Sequence, residues 1–295
     1  MMKNTIHAVL KTTYSLVKSW RSLAIFAGLY ALLLAALYGF IATREATLKQ
    51  VLLTLLFAAS APVIFFLLQA TIIDRAQHDR IDWYRALRDS CKLALLTVPL
   101  ILASFALASV ISRWQTHFPA PRIPQPLAPL SVQLPGGYPA PPNQAVTPAA
   151  PGPKPMHWPT VLFGTLRLLL FGIALPLTMI QLWIEFARND LIKLVRGGPR
   201  SILRKLTATL SNAFAPQSVL IYSVGLILFA VVPYVLLFVR TPLKGTRSEI
   251  GIFTTRLALV FVFTLLGWVI TLTTLAKTNE GFARESAEPS GEIEG

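Results

Sequence analysis

Apolar residues along this chain gather into six long runs, parted by short polar stretches. Residues 22–42 contain no charged side chain, and a helix of this length covers the roughly 30 Å hydrocarbon core of a bilayer at about 1.5 Å per residue. Comparable runs lie at 51–73, 93–111, 161–186, 219–239 and 252–276. They predict an all-α, polytopic membrane protein with six transmembrane helices. Only the fourth and sixth runs hold charges, Arg167 and Glu185 in one and Arg256 in the other.

Three segments between the runs follow a different pattern, apolar on one helical face and polar on the other. In the first, Ile6, Val9, Leu10, Tyr14, Val17 and Trp20 share a face, with Lys11, Ser15, Lys18 and Ser19 on the flank and back. In the second, Trp83, Tyr84, Leu87 and Cys91 oppose Asp82, Arg85, Arg88, Asp89 and Lys92. The third starts after Gly197, Gly198 and Pro199; Ile202, Leu203, Leu206, Leu210 and Phe214 oppose Arg200, Arg204 and Ser211. Each predicts an amphipathic helix on the cytoplasmic membrane surface, its basic side towards anionic headgroups. Surface helix, span and return span recur three times, over about 4–73, 81–186 and 200–276, with little residue identity between units.

Two segments lack any apolar periodicity. The loop 113–159 holds 14 of the 22 prolines, which predicts polyproline II or disorder; it serves as a docking arm or is a tolerated insertion. The tail, 277–295, carries Glu280, Glu285, Glu288, Glu292 and Glu294 and is predicted to be disordered. The chain thus divides into 1–112 (three spans), 113–159 (an extracytoplasmic loop), 160–276 (three spans) and 277–295 (an acidic tail).

Composition agrees with lipid as the solvent. Of the 295 residues 54% are hydrophobic and 14% charged, against about 25% charged in a soluble domain. The net charge of +14 is spread over short inter-span segments, which argues for anionic lipid and against nucleic acid as the partner. Seventeen Lys and Arg lie on the side of the termini and 8 on the other, so the positive-inside rule puts both termini in the cytoplasm. Cys91 is the only cysteine, which rules out an internal disulfide, and it reads as a small apolar filler.

Within this layout the segment Trp83-Tyr84-Arg85-Ala86-Leu87-Arg88 feeds a membrane hairpin. The arrangement resembles a set of bacterial six-helix membrane families that includes the membrane portion of some glycerophosphodiester phosphodiesterases and their uncharacterised relatives. The resemblance implies an architecture and the bacterial cytoplasmic (inner) membrane. It transfers no catalytic residue, because the sequence has no phosphodiesterase catalytic domain.

The sequence holds no zinc-protease helix, nucleophile elbow or phosphate loop, and its four histidines have no ligand spacing. No enzyme, metal or cofactor is expected. The remaining candidate chemistry is intramembrane polarity, which is expensive and therefore a functional hypothesis by default. Arg167, Ala174, Thr178, Gln181 and Glu185 recur at helical spacing close to one face, and Pro176 predicts a kink and a hinge there. With Arg256 they predict a polar path past the fourth helix, the arginines receiving an anionic headgroup or solute. In the competing reading both arginines snorkel to the outer interface. Pro62, Pro99 and Pro233 predict further kinks in the second, third and fifth spans. The functional expectation is a non-enzymatic accessory or assembly subunit, meeting a protein partner through the proline-rich loop or the acidic tail. The alternative is a transporter or lipid-handling protein for a lipid or small anionic solute.

Overall fold

The computed structural model describes residues 13–16, 18–43, 47–118, 158–188, 198–239 and 246–285; side-chain surroundings are described for all of these but 198–203, 246–248 and 280–285. Every element among the described residues is helical. We number them α1 (Trp20–Ala42), α2 (Leu48–His78), α3 (Trp83–Thr116), α4 (Trp158–Arg188), α5 (Gly198–Ala213), α6 (Pro216–Phe238) and α7 (Thr246–Glu285). All but α5 are long and apolar enough to cross a membrane.

Several helices outrun the bilayer. At 31 residues, α2 is about 46 Å long, so its two ends together project by roughly ten residues beyond a 30 Å core. The C-terminal end holds Asp74, Arg75 and His78, and the polar first turns of α3 stand beside it. Local chemistry sets these boundaries. Thr47 and Gln50 form a reciprocal capping box at the start of α2. Asp79 ends the helix in the left-handed region, at φ 57°. Asp82 opens α3 by accepting from the amides of Tyr84 and Arg85 at 3.0 and 3.4 Å.

The helices form three hairpins, α1/α2, α3/α4 and α6/α7, which share one core at the end nearest the chain termini. Phe26, Leu68, Ile72, Leu93, Leu177, Trp183, Tyr222 and Leu272 belong to it, so all six spans contribute. Towards the opposite end the hairpins stay closed individually but share little. Leu33, Ala36 and Ala61 make a separate cluster within α1/α2. In α3/α4, Phe118 and Phe163 stack tilted at 6.0 Å. Most apolar side chains there face outwards: Leu55, Phe105, Leu162 and Phe253 are each at least 60% exposed.

Three expectations about elements change. The second amphipathic segment is not a separate helix but the first turns of α3, continuous with the span. Its apolar residues Trp83, Tyr84 and Leu87 face outwards, while Asp89, placed by periodicity on the solvent face, is buried. Asp89 lies 2.8 Å from the Lys92 ammonium, an ion pair by distance without hydrogen-bond alignment. The carboxylate can be buried there because the Lys92 ammonium, itself only 12% exposed, goes inside with it. Cys91 is exposed on that outer face, so it is not a core filler. The helix α7 runs on to Glu285, nine residues past the expected end of the sixth span, so residues 277–285 of the predicted tail are helical. Most of the first amphipathic segment, the proline-rich residues 119–157 and the tail beyond 285 lie outside the described residues.

Candidate intramembrane polar site

The predicted polar face of α4 does not come together as one site. Gln181 is fully buried, and its amide Nε2 donates to Ser218 Oγ of α6 at 3.3 Å. Its Oε1 accepts from Asn279 Nδ2 of α7. One buried carboxamide therefore joins α4, α6 and α7, a use that suits the membrane, where interhelical hydrogen bonds supplement van der Waals packing. Thr178 returns its hydroxyl to the Ala174 carbonyl at 2.7 Å, and Glu185, one turn beyond Gln181, is half-buried. Arg167 stands 14 residues away from Gln181, about 21 Å along the helix. It donates to Ser112 Oγ of α3 at 3.2 Å in an exposed setting. Arg256 donates to the Val239 carbonyl, also exposed. Each arginine thus bridges the two helices of its own hairpin at the loop end.

Why Arg167 leaves the face can be read from the backbone. Leu168–Ala174 form a π-helical segment, whose wider turn advances the chain by a smaller angle per residue than an α-helix. Residues before and after it lose the phase relation that a 3.6-residue period assigns. The segment is tied to Pro176, whose ring displaces the hydrogen bond to the carbonyl four residues back, that of Gly172. Leu175 N instead bonds Leu170 O, five residues back. The Gly172 carbonyl accepts from Tyr222 Oη of α6 at 3.0 Å. The same arrangement recurs in α6, where the π segment Ile227–Val231 precedes Pro233 and Val232 N bonds Ile227 O. Pro62 and Pro99 sit within unbroken α-helices. Thus two of the four prolines carry a defined irregularity, one in α4 and one in α6.

Tyr222→Phe is expected to cost about 1 kcal/mol, because it leaves the Gly172 carbonyl without a donor in a dry site. In a Pro176→Ala background the same change is expected to cost much less, since the alanine supplies the missing amide. Thermal unfolding of the four proteins of this cycle in detergent checks the coupling; equal costs in both backgrounds would refute the proposed pairing.

Further polar contacts surround Gln181 that spacing along α4 could not point to. Trp183 Nε1 donates to Thr97 Oγ1 of α3 at 2.9 Å. Trp268 Nε1 of α7 donates to Gln69 Oε1 of α2 at 2.8 Å. At the projecting ends, Asp74 is 3% exposed and accepts from the Asp82 amide at 2.8 Å. Arg85 and His78 lie 3.4 and 3.1 Å from the same carboxylate. Arg75 Nε reaches Ser22 Oγ of α1 at 3.0 Å. Gln69, Thr97 and Ser218 were visible in the sequence as lone polar residues in or beside apolar runs. Asn279 was hidden in a segment read as tail. No group of three or more His, Cys, Asp or Glu side chains placed to hold a metal occurs among the described residues. Chemically, the arrangement can clamp helices at one level of the membrane while leaving the loop ends of the hairpins open. Compared with known proteins, the chain matches no family model, no curated protein and no solved structure.

Proposed function

We propose that this chain is a non-enzymatic accessory or assembly subunit of the bacterial cytoplasmic membrane, with both termini in the cytoplasm. The observation that carries this reading is the distribution of burial. The six spans are locked together by a shared core and side-chain hydrogen bonds at one end, and part into hairpins at the other. Exposed apolar flanks such as Leu102, Phe105, Leu162 and Leu168 then offer surface that lipid tails or the helices of a partner can cover. Cationic segments near the termini meet anionic headgroups, and the amphipathic stretches rest there. The proline-rich loop or the acidic tail supplies the contact outside the membrane.

Movement of a lipid or small anionic solute past α4 is the alternative. It draws less support, since Arg167 and Arg256 bridge hairpin mouths far from Gln181. Gentle purification from native membranes, with mass spectrometry of co-purifying proteins and lipids, separates the two. The expected result is a stoichiometric protein partner that is lost on deletion of 119–155 or of the tail beyond Glu285. A solitary protein carrying one enriched anionic lipid, lost with Arg167→Ala, would overturn it in favour of the alternative.

A further inference from the structure

A cavity of about 200 Å³ lies between α1, α2, α6 and α7, within the span region. Tyr30, Phe65, Gln69, Phe229, Thr264 and Trp268 are among its walls. Its size is just above the roughly 150 Å³ apolar cavity that accepts a benzene ring, and below the range of pockets that hold whole drug-sized molecules. It suits one ring or the end of one chain. Its walls are mainly carbon, and its two hydroxyls, Tyr30 and Thr264, lie close enough to interact with each other. Such a space is a poor home for water, which needs two to four polar partners.

Four of its walls are aromatic. Tyr30 also packs on Phe261 at 4.9 Å, and Phe229 meets Trp268 edge-on at 5.2 Å. The remaining polar group is the Gln69 carboxamide, 1% exposed. An indole N–H can only donate, so the contact with Trp268 fixes the amide oxygen on that side and leaves the NH2 for a guest. The chemistry offered is therefore an apolar space with aromatic walls, a hydrogen-bond donor and no charge.

Depth narrows the guest. Gln69 lies five residues before Asp74, the first residue of the charged end, and so about 7.5 Å further into the span. A phospholipid ester carbonyl belongs at the boundary of the hydrocarbon, and reaching Gln69 would draw a charged headgroup inwards. An uncharged carbonyl compound dissolved in the hydrocarbon meets no such cost. We propose that this cavity binds a lipid-soluble carbonyl compound of the quinone kind, its ring against the aromatic walls, its oxygen accepting from the Gln69 amide and its apolar tail leading out to lipid. The site does not rest on the accessory role proposed above.

The test is equilibrium binding of a radiolabelled decyl-substituted benzoquinone to the full chain in nanodiscs, corrected for partition into empty discs. Saturable binding to one site per chain is expected, weakened about tenfold in Gln69→Leu by loss of one hydrogen bond. Decylbenzene, which has no carbonyl, should bind the wild type and Gln69→Leu equally. Leu265→Trp, which fills the space, should abolish both. If Gln69→Leu does not fold, the pair Gln69→Leu/Trp268→Phe removes both partners of the internal hydrogen bond and serves instead. The proposal is overturned if the wild type shows no saturable component, if loss of the Gln69 amide leaves quinone affinity unchanged, or if ester-linked phospholipid displaces the probe while its ether-linked counterpart does not.

Discussion

Replacing Trp183 by alanine is expected to give the largest loss of stability of any single side-chain truncation in this protein, about 3 kcal/mol. The indole is 2% exposed and belongs to the shared core. Phe65 and Phe66 of α2 meet it edge-on at 6.0 and 6.2 Å, and its N–H reaches Thr97 of α3. Truncation therefore removes contacts among three helices at once and leaves a void where they meet. The value is placed at the low end for a Trp→Ala change because lipid is as apolar as the core, so the transfer term shrinks and the packing term dominates. Trp183→Phe restores most of the ring contact but not the donor. It should recover more than half of the loss if packing is the main contribution. Unfolding of the purified variants, followed by an SDS titration in mixed micelles, measures both. A Trp183→Ala loss below about 1 kcal/mol would mean that the shared core does not hold the hairpins together.

The second large effect is expected at the α6/α7 contact, where two glycines permit close approach. A Cβ added at Gly225 would collide with Thr271 Oγ1 and lie 2.8 Å from Thr271 Cβ. At Gly267 it would meet the Phe229 backbone nitrogen at 2.9 Å and Leu228 Cβ at 2.9 Å. Both Gly225→Ala and Gly267→Ala should cost about 1–3 kcal/mol by overpacking. Their rescue should differ. Thr271→Ala removes the closest atom facing residue 225 and is expected to recover part of the Gly225→Ala loss. No side-chain change relieves Gly267→Ala, because one of its obstacles is backbone in the π segment Ile227–Val231. The four single and double variants, compared in the same SDS titration, test this. Full tolerance of Gly267→Ala would show that the helices have room to separate there.

These positions separate what was legible in the chain from what was not. The spans were legible because lipid imposes a constraint that a single sequence displays directly. Each crossing needs about twenty apolar residues and must satisfy its backbone internally. Hence the six runs correspond to six long helices, some of which run up to ten residues beyond the apolar core. The irregularity at Pro176 was likewise local, following from that residue's missing amide. That Pro62 leaves its helix regular while Pro176 is preceded by a π segment was not legible. It depends on neighbours, notably on whether a donor such as Tyr222 stands by to take the displaced carbonyl.

The candidate site divides in the same way. Polarity within apolar runs pointed to Gln181, and it is buried in an interhelical contact. Periodicity also pointed to Arg167 as its companion, and the π segment between them changes the phase. Gln69, Thr97, Ser218 and Asn279 come from four different helices. Which of them meet depends on how the hairpins pack, and no spacing along one helix records that.

By itself, then, the sequence determined the all-helical class, the six crossings, the charge bias and the polar residues that need partners, because these follow from the cost of placing each group in lipid. Only the tertiary structure decided which polar residues meet, which helices share a core, where the hairpins part and that an aromatic cavity with one buried amide lies among them. Those outcomes depend on contacts between residues up to 199 positions apart in the chain, Gln69 and Trp268 being the example, and such contacts form only when the helices have packed.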